Sequence, residues 1–441
     1  MSRKKQILIN TALLTASTLV LRMVGMIFQA WLASRIGAEG IGLYQLSGSV
    51  TMLFGVLSVS GVRFASTKLI SEESATAHGN VPCVIKYCTV YALCFGTLSG
   101  VALLTFSKSL GFLWVRDARI VLSLRIAAFA APAIALSAVF GGYFTARGNV
   151  WKIAISQLLS ILIYVAITIY LLLHINPLNL ESTCAGITIG SVASEHFGFF
   201  LLAMFYWGER KQLNPTHQKS LHLPRRILSA ALPLAFSSYT RAGLSTLEHM
   251  MIPKGLRLYG LSAEAALSGY GIVHGMALPA VLFPSCLLVS LAELIVPELT
   301  RSQANCQTKR IVHIVRSCRI GALIYAAAST ILLFLSANVV AERVFHASAC
   351  TGAIRVLAPL IPIMNLDTIT DGCLRGLGQQ SRVMKINILD AALGVFFVLI
   401  LLPHSGLKGY IQMIWITEVI NCLLSTLALR QTLRKCKASG T

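Results

Sequence analysis

Residues 231–252 read ALPLAFSSYTRAGLSTLEHMMI and residues 12–31 read ALLTASTLVLRMVGMIFQAW, two apolar stretches interrupted near the middle by Arg241 and Arg22. Each is long enough to cross a bilayer, for which a helix needs about 20 mostly apolar residues. A guanidinium near the centre of such a helix costs about 2.5 to 3.5 kcal/mol on insertion scales, so it persists where it meets an anion or a wet cavity. Structural pairing accounts for one such residue. Two, at matching places in a repeated architecture, point to a central, positively charged pocket between two halves and to an anionic cargo.

Composition agrees. With 56% hydrophobic residues, 12% charged residues and a mean hydropathy of +0.74, the chain reads as an all-α, polytopic membrane protein, and a soluble enzyme is excluded. The net charge of +21 does not indicate nucleic acid, because the basic residues are scattered between apolar segments instead of forming one stripe. The eleven cysteines show no CxxC spacing and no paired histidines at ligand spacing, so they read as small buried residues, and no metal or other cofactor is expected. Arg3, Lys4 and Lys5 precede an apolar run that continues to about Ser34, too long for a signal peptide core; it is expected to be a retained first membrane helix.

A window of about 20 residues marks twelve candidate helices. They run from Ile7 to Ser34, Ile41 to Ser60, Val84 to Phe106, Ile120 to Ala146, Ile153 to Leu173 and Cys184 to Trp207, then from Ile227 to Ile252, Ala265 to Val296, Val312 to Leu335, Ala353 to Leu374, Met384 to Leu402 and Leu407 to Leu429. The expected organisation is a six-helix lobe over 1–207, a basic cytoplasmic linker over 208–226 and a second six-helix lobe over 227–441. Counting Lys and Arg on alternate sides of these spans places 25 on the side of the termini and 10 on the other, with Arg22 and Arg241 left inside. Cytoplasmic loops carry the excess, so both termini are expected in the cytoplasm of a cell-membrane protein.

Internal similarity supports a duplication. At an offset of 219 residues Thr18, Arg22 and Gln29 align with Ser237, Arg241 and Glu248; at 230, Pro132, Gly142 and Gly148 align with Pro362, Gly372 and Gly378; at 223, Glu195 aligns with Glu418. On the seventh span Ser237, Arg241, Ser245 and Glu248 fall at i, i+4, i+8 and i+11, one polar face of a helix. Arg241 and Glu248 are two turns apart, about 10 Å along the axis, which leaves the arginine available. A guanidinium presents a planar fork that matches two phosphate oxygens at once, so a phosphate-bearing substrate is favoured over a carboxylate.

A plainer reading stands beside this one: the two arginines bind carbonyls or acidic partners and fix helix packing. Glu195 and Glu418 are either those partners or the carriers of a coupling proton or cation. Asp367, Asp371 and Asp390 fit a cytoplasmic interfacial location equally well, and His196 and His274 read as packed hydrogen-bonding residues. Pro132, Pro233, Pro279, Pro284, Pro359 and Pro362 interrupt spans and permit bending, a feature common to membrane helices of every function.

Four stretches carry a family resemblance: YGIVHGMALPAVLFPSCLLVSLAELIVPELT (270–300), ALPLAFSSYTRAGLSTLEHMMIPKGL (231–256), GGYFTARGNVWKIAISQ (141–157) and GVRFASTKLISEE (61–73). The chain resembles the stage V sporulation protein B-like polysaccharide flippases of the multidrug, oligosaccharidyl-lipid and polysaccharide exporter superfamily, to which the MurJ lipid II flippases also belong. The resemblance implies a V-shaped, two-lobed helical bundle that moves undecaprenyl-pyrophosphate-linked saccharides between leaflets by alternating access, in cell-wall, spore-cortex or polysaccharide synthesis. It also implies that Arg22 and Arg241 occupy basic cavity positions and that Glu248 is the acidic residue further along; Gln29, Ser237 and Ser245 join them as candidate substrate-binding residues from the spacing and the repeat alone. Two departures are evident: Arg63 stands where many relatives carry proline, either touching head groups at the cytoplasmic mouth or anchoring its loop, and the two extra C-terminal helices of MurJ have no counterpart here. The expected partners are an isoprenoid pyrophosphate-linked saccharide, membrane lipid and a coupling cation or proton; no nucleic acid is expected, and the protein is expected to be a monomer. The rivals are a cation-coupled drug or metabolite exporter on the same fold and a non-transporting scaffold for cell-wall synthesis. A lipid-linked glycosyl transferase lacks an acidic metal motif and a donor-sized loop, so no catalytic residue is assigned.

Overall fold

The computed structural model describes residues 3–75, 80–174, 179–210 and 223–438; residues 211–222 of the expected linker lie outside the described residues. Every described element is helical. In chain order these are α1 (Arg3–Val59), α2 (Val62–Ala75), α3 (Val81–Ser109), α4 (Ile120–Ala128), α5 (Ala130–Arg147), α6 (Val150–His174), α7 (Leu180–Arg210) and α8 (Leu223–Leu258). They are followed by α9 (Ala263–Tyr270), α10 (Leu278–Leu282), α11 (Ser285–Ala304), α12 (Thr308–Val339), α13 (Cys350–Leu357), α14 (Ile361–Gly376) and α15 (Gln380–Ala438). Short π-helical turns occupy Leu110–Val115, Gly271–Ala277 and Val340–Val344.

All twelve expected spans fall on helix, but their continuity differs from expectation. Among the described residues eight helices are long and apolar enough to cross a membrane, or nine if α4 and α5, bent by 42°, form one span. Two of these candidates, of 59 and 57 residues, exceed by far the 20 or so that one crossing takes. Each is broken inside by a glycine in a non-helical conformation, Gly37 (φ 72°, ψ 179°) in α1 and Gly406 (φ 56°, ψ −132°) in α15. The left-handed φ is costly for any residue with a Cβ, so these glycines allow a turn between two crossings without a loop. Helix α8 is missing from the apolar set because the polar stripe through Arg241 and Glu248 dilutes its hydrophobicity.

The chain divides into two compact units. One holds Met1–Ser17 with Leu46–Thr246, the other Thr18–Gln45 with Leu247–Thr441. The grouping by contact is not the grouping by sequence: residues 18–45 belong with the second unit and 223–246 with the first. All three crossings fall inside continuous helix, two in α1 and one in α8.

Each unit has its own core. Val62, Leu69, Ile85, Phe144, Leu202 and Ile227 are central in the first, and Leu288, Leu299, Ile311, Ile369, Leu374 and Leu429 in the second. Lipid tails are as apolar as leucine, so inside a bilayer helices associate through close van der Waals packing and hydrogen bonds, which small residues permit. In the second unit a Cβ on Gly42 would lie 2.3 Å from the Leu267 carbonyl oxygen, and one on Gly271 only 1.9 Å from that of Ala38.

The duplication is written into the backbone as well. After α3 and its π-helical turn, Arg116 is left-handed (φ 56°) and Asp117 N donates to Gly111 O at 3.0 Å; after α12 and its π-helical turn, His346 (φ 51°) is followed by Ala347 N donating to Ala341 O at 2.9 Å. Helix α5 ends at left-handed Gly148 with Asn149 N on Phe144 O at 2.9 Å, and α14 ends with Gly378 and Gln379 N on Leu374 O at the same distance. Both are Schellman closures that satisfy terminal carbonyls. All of these pairs keep the offset of 230 residues seen in the sequence.

Candidate substrate-binding site

Arg241 belongs to the first unit. Two hydrogen bonds seat its helix on the second segment of α1: Tyr239 Oη donates to Leu57 O at 3.4 Å and Thr246 Oγ1 to Ser49 O at 3.0 Å. Ser237 returns its hydroxyl to Leu234 O at 2.9 Å, the habit of a serine whose helix gives it no other acceptor. The Arg241 side chain is exposed, and Arg241 joins no ion pair among the described residues, Glu248 included. Ser245 is half-buried on the same face.

Arg22 belongs to the second unit, on the first segment of α1. Its side chain is exposed, lies beside the Cys286 thiol, and likewise has no ion pair among the described residues. Two turns further along, Gln29 Nε2 donates to Gly275 O at 3.2 Å in the π-helical turn before α10. That turn breaks the regular helical pairing, and the side chain supplies a donor for a freed carbonyl. Gln29 therefore has a structural bond of its own, while Arg22 has the Cys286 thiol as its neighbour.

Glu248 lies in the second unit against the backbone of α15, where a Cβ on Gly394 would come within 2.6 Å of its Oε2. Asp390, one turn before Gly394, is an electrostatic neighbour of Glu248, and Glu418 senses Asp390, Asp367 and Glu248. Asn421 Nδ2 donates to Asp367 Oδ2 at 3.1 Å, while Asp367 Oδ1 and Asn421 Oδ1 are buried acceptors without a donor. Four carboxylates from α8, α14 and α15, Asp367 and Asp390 among them, are thus gathered in one unit. Among the described residues no three His, Cys, Asp or Glu side chains are arranged to hold a metal ion. Glu195, the repeat partner of Glu418, is half-buried on α7 in the first unit, with His196 as its electrostatic neighbour among the described residues.

His274 and His249 pack ring to ring at 4.4 Å, and Tyr270 Oη lies 3.3 Å from His249 Nδ1. They form a packed aromatic cluster beside Glu248. Arg63 is exposed at the start of α2, its Nε 3.8 Å from where a Gly141 Cβ would stand.

The two first-unit stretches that carried the resemblance build joints. Glu209 accepts from Tyr143 Oη at 2.7 Å, Asn149 Nδ2 at 2.9 Å and Lys152 Nζ at 2.5 Å, tying α5, α6 and α7 at one end. Lys152 also lies over the rings of Phe144, Trp151 and Phe205 at 5.2 to 5.5 Å. Arg226 reaches Glu72 at 2.8 Å and Glu73 at 3.1 Å, fastening the start of α8 to α2. Burial works against the Arg226 charge, but these hydrogen bonds outweigh it and raise the pKa of the guanidinium.

Comparison with known proteins bears on what these parts are for. A family model described as polysaccharide biosynthesis protein matches residues 7–303. The chain belongs to that family. It is 24% identical over 420 residues to stage V sporulation protein B of Bacillus subtilis (strain 168), covering 92% of this chain and 80% of that one. It is 22% identical over 385 residues to sporulation protein YkvU of the same organism, covering 86% and 85%.

Solved structures share the fold. An inward-facing multidrug resistance MATE family transporter of the MOP superfamily superposes with a TM-score of 0.73 at 14% identity, covering 97% of this chain and 100% of that one. A MOP superfamily transporter from Pyrococcus furiosus, whose binding pocket is described as reversed in polarity, gives 0.66 at 14% identity over 97% and 96%. The fold is thus shared with solved membrane transporters.

Proposed function

We propose that this protein is a flippase for undecaprenyl-pyrophosphate-linked saccharide, lipid II or a related cell-wall, spore-cortex or polysaccharide precursor, working by alternating access in the cell membrane with both termini in the cytoplasm. The observation that carries the reading is the pair Arg22 and Arg241: one exposed guanidinium in each unit, each well inside a long helix and without an ion pair among the described residues. An intramembrane cation left open is suited to a polyanionic head group, and the guanidinium fork suits phosphate. In this reading Arg22 and Arg241 engage the pyrophosphate, Ser237, Ser245, Gln29 and Arg63 line the saccharide's route, and the isoprenoid tail stays in lipid. Glu248, Asp390 and Glu418 take up a coupling proton or cation, with Glu195 a lesser participant.

The test is translocation of a fluorescent lipid-linked saccharide in proteoliposomes, read by an impermeant quencher. Arg241→Ala is expected to slow it at least tenfold at equal protein density, which corresponds to about 1.4 kcal/mol. Full retention of translocation by Arg241→Ala and by Arg22→Ala would sink the pyrophosphate role.

The group of four carboxylates favours one alternative, a cation-coupled exporter of organic cations. Competition separates the two: an exporter is saturated by organic cations and indifferent to undecaprenyl pyrophosphate, and a flippase behaves the other way round.

A further inference from the structure

Each repeat turns from its third to its fourth helix in the same way, through a π-helical turn and a left-handed residue, Arg116 in one and His346 in the other. Five residues into the helix that follows, each carries an exposed arginine: Arg125 on α4 and Arg355 on α13, at the offset of 230 that relates the two corners. Each is steadied on the preceding helix of its own unit. Arg125 Nε lies 3.4 Å from Ser107 Oγ, and the Arg355 guanidinium carbon stands 5.9 Å from the centre of the Phe334 ring. Neither joins an ion pair among the described residues.

The surroundings indicate lipid. Leu122 and Phe129, one turn to either side of Arg125, are 40% and 62% exposed, and Val356 and Phe334 around Arg355 are 51% and 45% exposed. Large apolar side chains open to the outside of a membrane helix face acyl chains. At 1.5 Å per residue each arginine sits about 7.5 Å below the start of its helix, close enough for the side chain to snorkel up to the headgroups. A guanidinium there, with its stem held by a hydroxyl or a ring, offers a paired-donor fork to a phosphate. The first corner is also the more cationic: beside Arg125 its sequence carries Lys108, Arg116 and Arg119 against Asp117, whereas the second carries Arg343 against Glu342.

We propose that the two corners are binding sites for the headgroup phosphate of an anionic phospholipid, one in each unit, with Arg125 and Arg355 as the phosphate ligands and the first corner the stronger. The sites are independent of the transported cargo.

The experiment uses the full-length protein in liposomes containing diazirine-bearing phosphatidylglycerol or phosphatidylcholine, with lipid adducts mapped by mass spectrometry to residues 116–131 and 346–360. Phosphatidylglycerol is expected to label the first corner at least fivefold more than phosphatidylcholine, from about 1 kcal/mol per basic residue near a charged surface. Arg125→Gln should bring the first corner down to the phosphatidylcholine level and leave the second unchanged, which serves as the folding control; Arg355→Gln should do the reverse, and Arg→Lys at either site should keep part of the preference. Equal labelling by the two lipids, or phosphatidylglycerol labelling that survives both glutamine substitutions, overturns the proposal.

Discussion

In the first unit Glu72, Glu73 and Glu209 all lie in ion pairs with Arg226 or Lys152, whereas in the second Glu248, Asp367 and Glu418 lie in none among the described residues. Both sets come from spanning helices or their ends, and the two units share the backbone motifs of one duplication. A carboxylate paired with a lysine or arginine fixes a joint, because separating the pair leaves an uncompensated charge. One gathered with other carboxylates keeps the capacity to take up a proton or a cation. In the proposed function the unpaired group of the second unit is the exchangeable reservoir, while paired carboxylates act as fasteners, Asp371 with Arg375 and Glu298 with Arg310 in that same unit included.

The most severe test of that contrast is Glu209→Ala. It strands Lys152, whose side chain is only 13% exposed, together with Tyr143 and Asn149. A loss of about 3 kcal/mol in unfolding experiments in detergent is expected, against less than about 1 kcal/mol for Glu298→Ala, whose partner Arg310 is 57% exposed. Equal losses would erase the distinction between a buried joint and an exposed pair.

Next comes the repeat-related pair. Glu418→Gln is expected to cut transport about tenfold or more with little change in stability, while Glu195→Gln changes it less than about twofold, a difference near 1 kcal/mol in barrier height. If Glu195→Gln proves the more damaging, the reservoir has been assigned to the wrong unit.

A milder perturbation is Gly394→Ala, which brings a methyl to within 2.6 Å of Glu248 Oε2. The carboxylate is the free end of a flexible chain and can move aside, so the protein should remain as stable while transport falls about fivefold, of order 1 kcal/mol. Gly48→Ala in the first unit meets nothing within 4 Å and should leave both properties nearly unchanged or add a few tenths of a kcal/mol of stability. A small effect is also expected for Thr246→Val, which removes one side-chain hydrogen bond to Ser49 O and should cost about 1 kcal/mol or less in the same unfolding assay.

The spans were legible because hydrophobic length is a local property, and Arg22 and Arg241 were legible because each stands out within its own segment. The carboxylate group was not. Glu248, Asp367, Asp390 and Glu418 lie on three helices, and Asp367 and Asp390 sit near segment ends where a sequence window reads them as interfacial. A weak signal did exist: Asp367 and Asp371 are one turn apart, and so are Asn421 and Ser425, which meet them at a constant separation of 54 residues. Recognising that register requires knowing that α14 and the last segment of α15 are neighbours, which no composition or periodicity supplies. The exchange of segments between units was hidden for a related reason, since all three crossings happen within helical segments instead of at loops.

The seam between Gly42 and Gly271 bears on how the gene could be divided. A fragment beginning after the basic linker would lack residues 18–45 and would present Leu267, Gly271 and Gly275 without the backbone that fits them. Two halves expressed separately would have to rebuild that seam before the second could complete its own bundle, so split versions of this protein should recover only when both pieces are made together.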